Sequence, residues 1–200
     1  MIGIVLAGGA SRRFDGRAKG LIQLVGRPMA LRAADMLAPF CTTVAIEAVP
    51  DAGYEALGLP LIHAPAKHAG KGPLAGLAAG LGRAGPNELI AFAPCDMPLL
   101  TRTIYDNLAE ACGKASGAYA ATAKGVEPLV AILNASMREA LLQALEQETL
   151  PRTHAVLDAA GARAVTCADA TPFENVNTPA DLERLETTLR LKASRPGSSD

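Results

Sequence analysis

A short basic segment near the start of the chain contains the residue types that bind phosphate. Gly8 and Gly9 follow an apolar run, and glycines let a backbone approach a ligand closely and present its N–H groups to an anion. Four cationic side chains follow within eight residues: Arg12, Arg13, Arg17 and Lys19. Because like charges this close repel one another, we expect an anion to share the site, and a triphosphate is the best candidate.

Two familiar phosphate-binding motifs are excluded by their spacing. The dinucleotide-binding fingerprint needs a third glycine where this chain has Arg12. A P-loop around Gly70 and Lys71 would need glycine at Pro65 and a hydroxyl residue at Gly72. The basic segment therefore belongs to another class of phosphate site.

An acidic residue follows the fourth apolar run of strand length. Asp96 lies in the segment Phe92-Ala-Pro-Cys-Asp-Met-Pro98. Ligands of open α/β sheets bind beyond the carboxyl ends of the strands, so this carboxylate would lie opposite the glycines. Magnesium commonly uses one or two protein carboxylates and completes its octahedron with phosphate oxygens and water. Asp96 is therefore the candidate Mg²⁺ ligand.

A third motif is the small-residue segment Gly70-Lys-Gly-Pro-Leu-Ala-Gly-Leu-Ala-Ala-Gly80. Pro73 is typical of a first helical turn, and the amino end of such a helix can face an anion. Lys71 could add a cation there. Close backbone packing alone would also explain the small residues, and both interpretations stay open.

A fourth motif is Phe173-Glu-Asn-Val-Asn-Thr-Pro-Ala-Asp-Leu182. Thr178 and Asp181 have the spacing of a capping box at the start of a helix. That role leaves Asn175 and Asn177 unexplained, and their alternation places them on one face of an extended segment. We interpret the two asparagines as candidate ligand-binding residues.

These four motifs, in this order, resemble the signature of the nucleotidyltransferases, and most closely that of the molybdenum cofactor guanylyltransferases. The resemblance extends from Met1 to about Leu189 and includes Leu6-Ala7-Gly8-Gly9-x-Ser11-Arg12-Arg13, Lys19, Gly26-Arg27-Pro28, the P-C-D-x-P around Asp96, G-P-L-A-G and F-x-N-x-N-T-P. The cytidylyl branch usually reads L-A-A-G, so the glycine pair favours the guanylyl branch.

The resemblance implies a role for each matching residue. Catalytic roles are implied for Arg13, Lys19 and Asp96, and Asp96 is also the implied metal ligand. Nucleotide binding is implied for Leu6, Ala7, Gly8, Gly9, Ser11, Arg12, Lys19 and Asp96. Substrate binding is implied for Gly72, Pro73, Gly76, Asn175 and Asn177, and the two asparagines would line the pterin and metal side of the site. The segment 125–129 resembles the strand that enters near the substrate, and Arg152 is a candidate phosphate contact.

The chain departs from the family pattern at three places. Ala18 stands where an Asp is common, the segment 63–69 lacks the usual acid, and Glu47 stands where a nucleotide-contacting Asn is expected. A carboxylate only accepts hydrogen bonds, so Glu47 could accept from N1–H and N2–H₂ of guanine. Cytosine offers no comparable pair of donors. We therefore count Glu47 among the nucleotide-binding residues and expect it to preserve a preference for guanine.

The resemblance implies that the protein transfers GMP from GTP to molybdopterin or its molybdenum-loaded form, releasing pyrophosphate, with Mg²⁺ as cofactor. Molybdenum-insertion proteins and recipient molybdoenzymes are the implied protein partners. Two alternatives stay open. One is transfer of another nucleotide, from CTP to molybdopterin or from an NTP to another phosphate monoester. The other is a non-catalytic protein of the same fold that binds the cofactor or a partner.

The elements that must position these residues alternate along the chain. Apolar runs of strand length lie at 2–6, 43–46, 61–62 and 89–92, with weaker ones at 118–122, 128–133 and 164–166. Helical spacing occurs at 28–37, 73–81, 104–112, 137–145 and 179–191. Strands that are apolar on both faces and alternate with helices predict a doubly wound α/β fold with a mainly parallel sheet. By resemblance this is a Rossmann-like, three-layer α/β/α nucleotidyltransferase domain over residues 1–192, followed by a disordered tail at 193–200.

Composition excludes several other classes of protein. Half of the 200 residues are hydrophobic and the mean hydropathy is +0.19, which excludes general disorder. A net charge of −1 argues against a broad nucleic-acid or membrane surface, and no apolar run reaches the length of a membrane span. Four cysteines without a C-x-x-C pair argue against a zinc knuckle or a redox pair. We therefore expect a soluble, cytoplasmic enzyme.

Overall fold

The architecture is a seven-stranded sheet covered by helices on both faces. The computed structural model describes residues 1–9, 16–113 and 115–193. Ser11, Arg12 and Arg13, and residues 194–200 of the expected tail, lie outside the described residues. From one edge to the other, the strands are β5 (Leu61–Ile62), β4 (Thr43–Glu47), β1 (Ile2–Leu6), β6 (Leu89–Pro94), β8 (Gly125–Asn134), β7 (Gly117–Thr122) and β9 (Ala162–Thr166).

The sheet is mainly parallel, as the alternation of apolar runs predicts. β4, β1 and β6 are neighbours in parallel register, and only β8 runs against its neighbours β6 and β7. Side chains along β1 alternate between the two faces: Val5 packs into one hydrophobic cluster, and Ile4 and Leu6 pack into the other. A strand buried on both faces in this way requires helices on both sides.

Five of the six α-helices in the described residues supply those two covering layers. The six helices are α1 (Met29–Leu37), α2 (Pro73–Leu81), α3 (Arg102–Cys112), α4 (Arg138–Leu145), α5 (Thr153–Ala159) and α6 (Pro179–Ala193). Leucines and alanines of α1 and α3 pack on one face of the sheet, and those of α2, α4 and α5 pack on the other. The predicted doubly wound, three-layer α/β/α fold is therefore confirmed. Among the described residues, no helix is long and apolar enough to cross a membrane.

A small ribbon and a third hydrophobic cluster lie at the carboxyl edge of the sheet. β2 (Gln23–Leu24) pairs antiparallel with β3 (Arg27–Pro28) just before α1. Leu24, Met29, Val176 and Leu185 form the cluster, which joins this ribbon to α6. The carboxyl-terminal helix is thereby held beside the segment that precedes α1.

Two features differ from the sequence-based expectation. β7 and β8 form an antiparallel hairpin with a register shift between Tyr119 and Ala120, whereas the sequence predicts only two weak strands. Their connection, Ala123-Lys124, lacks the Asn-Gly or Asp-Gly signal of a tight hairpin. The helix α5 is not predicted, because seven residues are too few to show a helical period.

Candidate active site

The site lies where β1, β4 and β6 end. Leu6, the last residue of β1, is in register with Glu47 on one side and with Pro94 on the other. The backbone continues this pairing: Ala7 N–H donates to Glu47 O at 2.8 Å, and Cys95 N–H donates to Leu6 O at 3.0 Å. Three chain segments that carry Gly8, Glu47 and Asp96 therefore leave the same edge of the sheet together, where ligands of open α/β sheets bind.

Lys19 brings three of the predicted motifs into direct contact. Its ammonium donates to Asp96 Oδ2 at 2.7 Å and to Asn177 Oδ1 at 2.7 Å. The lysine side chain is 16% exposed and that of Asp96 is 26% exposed, so the ion pair is shielded from bulk water but still reachable. The contacts connect residues 77 and 158 positions apart in the chain.

The local structure around Asn177 explains how this side chain is held. Val176 N–H donates to Asp96 O at 2.9 Å, which joins the two segments as strands would be joined. Asp181 Oδ2 accepts from the N–H groups of Asn177 and Thr178 and from the Thr178 hydroxyl, and Asp181 N–H donates to Thr178 Oγ1. The predicted capping box therefore begins α6 and also fixes the backbone of Asn177.

A second carboxylate, that of Glu127 on β8, is close enough to be influenced by the charge of Asp96. Burial, and secondarily the negative charge of Asp96, raise the pKa of Glu127. Two carboxylates that repel each other across a partly buried site would be relieved by a cation, and one or two carboxylates are what Mg²⁺ takes from a protein in a phosphate complex. Over the described parts of the chain, no group of three or more His, Cys, Asp or Glu side chains forms a metal site. The carboxylates of Asp96 and Glu127 could therefore supply ligands to a Mg²⁺ ion whose coordination is completed by phosphate oxygens and water.

Glu47 is a buried carboxylate at the end of β4, with 6% of the residue exposed. Burial raises its pKa, and the neighbouring His63 imidazole and a hydrogen bond from Gly8 N–H oppose that shift. His63 is itself held by Ala48 O, 2.7 Å from its Nδ1. Glu47 and His63 thus occupy the region where the family pattern places an asparagine and an acid.

Gly8 and Gly76 both lie beside Glu47, whose carboxyl occupies the space that a side chain at either position would need. A Cβ added to Gly8 would lie 2.9 Å from Glu47 Oε2, and one added to Gly76 would lie 2.8 Å from the same atom. Such approaches are closer than real Cβ contacts. Gly76 of the third motif is therefore next to Gly8 of the first, with Glu47 between them.

The remaining predicted residues are distributed around this cluster. Gly72 and Pro73 are exposed at the start of α2, and Gly72 has a φ of +70° that favours glycine. Lys71 donates to Leu145 O at the end of α4 and so is tied to that helix. In the part of the chain that the structure describes, Asn175 has no hydrogen bond to Lys19 or Asp96, whereas Asn177 bonds Lys19.

The segment 63–69, which lacks the family's acid, is held by contacts with Glu146 at the end of α4. His68 is 1% exposed, and its Nε2 lies 3.1 Å from Glu146 Oε1, which also accepts from Lys67 Nζ at 2.9 Å. These hydrogen bonds, first from His68 and then from Lys67, lower the pKa of Glu146 to about 2. These contacts join the segment before α2 to the end of α4 and so hold this part of the site in place.

The structure also shows a site residue that the sequence does not indicate. Tyr54 belongs to a short 3₁₀ helix after β4, and its hydroxyl lies between Ala7 and Gly20. Aromatic residues are common in such connections as core anchors, and no pattern around Tyr54 distinguishes it. Its role depends on tertiary contacts that only the fold creates.

The chain is similar to known proteins over most of its length. Residues 3–165 match the family model of the MobA-like NTP transferase domain. A molybdenum cofactor guanylyltransferase of Serratia proteamaculans is 36% identical over 184 residues, which cover 91% of this chain and 92% of that protein. One from Yersinia pestis is 34% identical over 94% of this chain and 96% of its own length.

Solved structures share the fold at lower sequence identity. Molybdopterin-guanine dinucleotide biosynthesis protein A from Archaeoglobus fulgidus superimposes with a TM-score of 0.77 at 23% identity, covering 96% of this chain and all of that one. The 2-C-methyl-D-erythritol 4-phosphate cytidylyltransferase of Thermus thermophilus gives 0.68 at 18% identity, over 94% and 98% of the two chains. The fold is therefore shared by enzymes of different substrates and does not identify the base. The family model and the two sequence relatives show that the chain belongs to the MobA-like NTP transferase family and is a nucleotidyltransferase.

Proposed function

We propose that the protein transfers GMP from GTP to the terminal phosphate of molybdopterin, with or without molybdenum, and releases pyrophosphate. The main support is the contact of Lys19 with Asp96 and Asn177 beside the glycines that follow β1. This contact gathers a cation, a metal-binding carboxylate and an amide from three separate motifs at the edge of the sheet that binds ligands. The names of the sequence relatives supply the substrate class.

The reaction is an in-line substitution at phosphorus. A phosphate oxygen of molybdopterin forms a bond to the α-phosphorus of GTP. The bond from that phosphorus to the oxygen that bridges the α- and β-phosphates breaks. A phosphate monoester has a second pKa near 6, so at neutral pH the attacking group is largely dianionic and needs no strong base. The protein therefore has to position the phosphates and neutralise their charge.

Lys19 is well placed for that neutralisation. An ammonium group has three donors, and two of them are used by Asp96 and Asn177. A small movement of the Lys19 ammonium away from Asp96 would bring it to a phosphate oxygen, while the hydrogen bond to Asn177 keeps the lysine side chain directed into the site. Arg13 is the second cation that the resemblance implies.

Magnesium is the cofactor that we propose, with Asp96 as its ligand and Glu127 as the nearby second carboxylate. When bound, it would supply positive charge to the phosphates and hold them in a defined geometry. Lys19 would then be released from its pair with Asp96 for contact with pyrophosphate oxygens.

Guanine selectivity is proposed to depend on Glu47. Its carboxyl lies beside Gly8, at the start of the glycine pair, and offers acceptors only. Guanine presents two adjacent donors to such a group, whereas cytosine presents one. We also propose that the protein acts in the cytoplasm, with molybdenum-insertion proteins and recipient molybdoenzymes as its partners.

The test is pyrophosphate release in the presence of Mg²⁺ and molybdopterin, with GTP, CTP, ATP and UTP measured in parallel. Release with GTP alone is expected, and Asp96→Asn should abolish it while Asp106→Asn, on the exposed face of α3, should not. Release with CTP would keep the mechanism and overturn the base assignment. Silence from all four nucleotides in folded protein would overturn the proposed transfer and favour the non-catalytic alternative.

A further inference from the structure

The hydroxyl of Tyr54 joins the two ends of the glycine-rich basic segment. Gly20 N–H donates to Tyr54 Oη at 3.1 Å, and the hydroxyl in turn donates to Ala7 O at a longer 3.5 Å. Ala7 directly precedes Gly8 and Gly9, and Gly20 directly follows Lys19. The Tyr54 side chain, which belongs to another part of the chain, therefore restrains the distance between Ala7 and Gly20.

The fit between Tyr54 and Gly20 leaves no room for another residue. A Cβ added to Gly20 would lie 2.7 Å from Tyr54 Oη, 2.8 Å from its Cε1 and 3.0 Å from the Cβ of Ala30. The tyrosine ring itself is 1% exposed within the core cluster on the α1 and α3 side of the sheet. Gly20 and Tyr54 thus form a close contact in which each determines the position of the other.

The hydroxyl is buried and remains a donor at all ordinary pH values. Burial is the main cause that raises the pKa of Tyr54, so the phenol stays protonated and can donate to Ala7 O. A buried hydroxyl or amide without a partner is costly, which favours keeping both of these contacts. The bridge is therefore a stable feature of the folded chain.

We propose that Tyr54 is a positioning residue of the nucleotidyl transfer: by holding Gly20 and Ala7, it sets the place of Lys19 and of the glycines that receive the triphosphate. This inference rests on the proposed function for its effect on turnover. Its structural part, the restraint on Gly20, does not depend on which nucleotide is used. The hydroxyl itself does not touch the reacting atoms in this assignment.

The test is Tyr54→Phe, which removes the hydroxyl and keeps the ring. The matched control is Tyr105→Phe in the same core cluster, because the Tyr105 hydroxyl is also buried and donates to a backbone oxygen, that of Phe92, at 2.7 Å. Tyr54→Phe loses two buried hydrogen bonds and Tyr105→Phe loses one, so both should lower the thermal stability, Tyr54→Phe by somewhat more. Only Tyr54→Phe should lower kcat for pyrophosphate release with GTP, by about tenfold, because a small displacement of a catalytic group costs that much or more.

Amide hydrogen exchange of the free protein separates this inference from the proposed function. In Tyr54→Phe, the Gly20 amide should exchange at least about tenfold faster than in Tyr105→Phe, since its acceptor is gone. Unchanged exchange at Gly20, or faster exchange with unchanged kcat, would overturn the positioning role. If the wild-type protein turns over no nucleotide while the Gly20 amide still exchanges faster in Tyr54→Phe, the proposed function and the catalytic part of this inference are overturned and the restraint on Gly20 remains.

A second variant approaches the same contact from the other side. Gly20→Ala places a methyl group against the Tyr54 hydroxyl and should lower kcat at least as much as Tyr54→Phe. If Gly20→Ala fails to fold, Tyr54→Phe still decides the matter. A folded Gly20→Ala protein with wild-type kcat would contradict the inference.

Discussion

Replacing Lys19 by Met should separate catalysis from stability. The methionine keeps the length and apolar stem of the side chain but removes the ammonium that contacts Asp96 Oδ2 and Asn177 Oδ1, each at 2.7 Å. Because the Lys19 side chain is only 16% exposed, its attraction for a phosphate is less screened than at the surface. Loss of one preorganised donor to a transition-state oxygen typically costs about 10²–10³ in kcat, or about 2.7–4 kcal/mol. We expect a loss in that range.

The effect of Lys19→Met on stability should be smaller. The ion pair with Asp96 is partly buried, so its loss should cost more than the about 1 kcal/mol of an exposed pair and less than the about 3–5 kcal/mol of a fully buried one. In a protein of this size each kcal/mol corresponds to about 2–4 °C in Tm. Thermal melts and pyrophosphate release on the same preparations therefore measure the two effects separately.

The control for Lys19→Met is Lys67→Met. Lys67 also pairs with a carboxylate, Glu146, at 2.9 Å, but its side chain is 69% exposed. This variant should keep kcat and KM for GTP within about twofold, and Lys19→Arg, which retains the charge, should keep more activity than Lys19→Met. If kcat/KM of Lys19→Met stays within about threefold of the wild type, Lys19 does not neutralise the phosphates and our interpretation of the site is wrong.

Three further substitutions test the surroundings of the site. Burial raises the pKa of Glu47 above its ordinary 4.5, so the ionised carboxyl lowers the stability of the folded protein above that pH. Glu47→Gln should therefore raise Tm at pH 7. This gain should vanish when melts are measured at lower pH, down to about pH 4.5. Thr178→Ala removes the hydroxyl that accepts from Asp181 N–H and should lower the free energy of unfolding by about 1 kcal/mol in urea titrations. Gly76→Ala places a methyl 2.8 Å from Glu47 Oε2 and should cost about 1–3 kcal/mol by the same titration, but less in a Glu47→Ala background, where equal costs would show that the two residues are independent.

The fold could be predicted where local signals and burial agree. β1 and β6 are apolar on both faces, which is the pattern of a central parallel strand, and α2 begins at Pro73 as the sequence indicates. The sequence does not predict the β7–β8 hairpin because its connection lacks a typical turn signal, and the two strands also pair with β6 and β9 in the sheet. In such elements tertiary contacts, which a single sequence does not display, decide the structure.

The candidate site was predictable in its parts, since each part has its own motif. Asp96 follows a strand, Lys19 ends a basic segment, and Asn177 precedes a capping box, so the sequence marks each residue as a candidate, and the structure brings the three into contact. Tyr54 had no such signal because its hydroxyl acts at Ala7 and Gly20, both distant from it in the chain. Residues that bind a ligand tend to lie in motifs, whereas residues that hold those motifs in place are defined by the packing alone.

Glu47, which departs from the family pattern, is matched to the two glycines that lie beside it. The carboxyl reaches between Gly8 and Gly76, and a Cβ at either position would collide with Oε2. Gly8 also donates its N–H to this carboxyl, so the first residue of the glycine pair is held by the group that we propose reads the base. A shorter amide at position 47 would leave both glycines uncovered and Gly8 N–H without this acceptor. Base recognition and the shape of the phosphate-binding segment are therefore coupled through one side chain, and a change of base preference at Glu47 should also alter the affinity for the triphosphate.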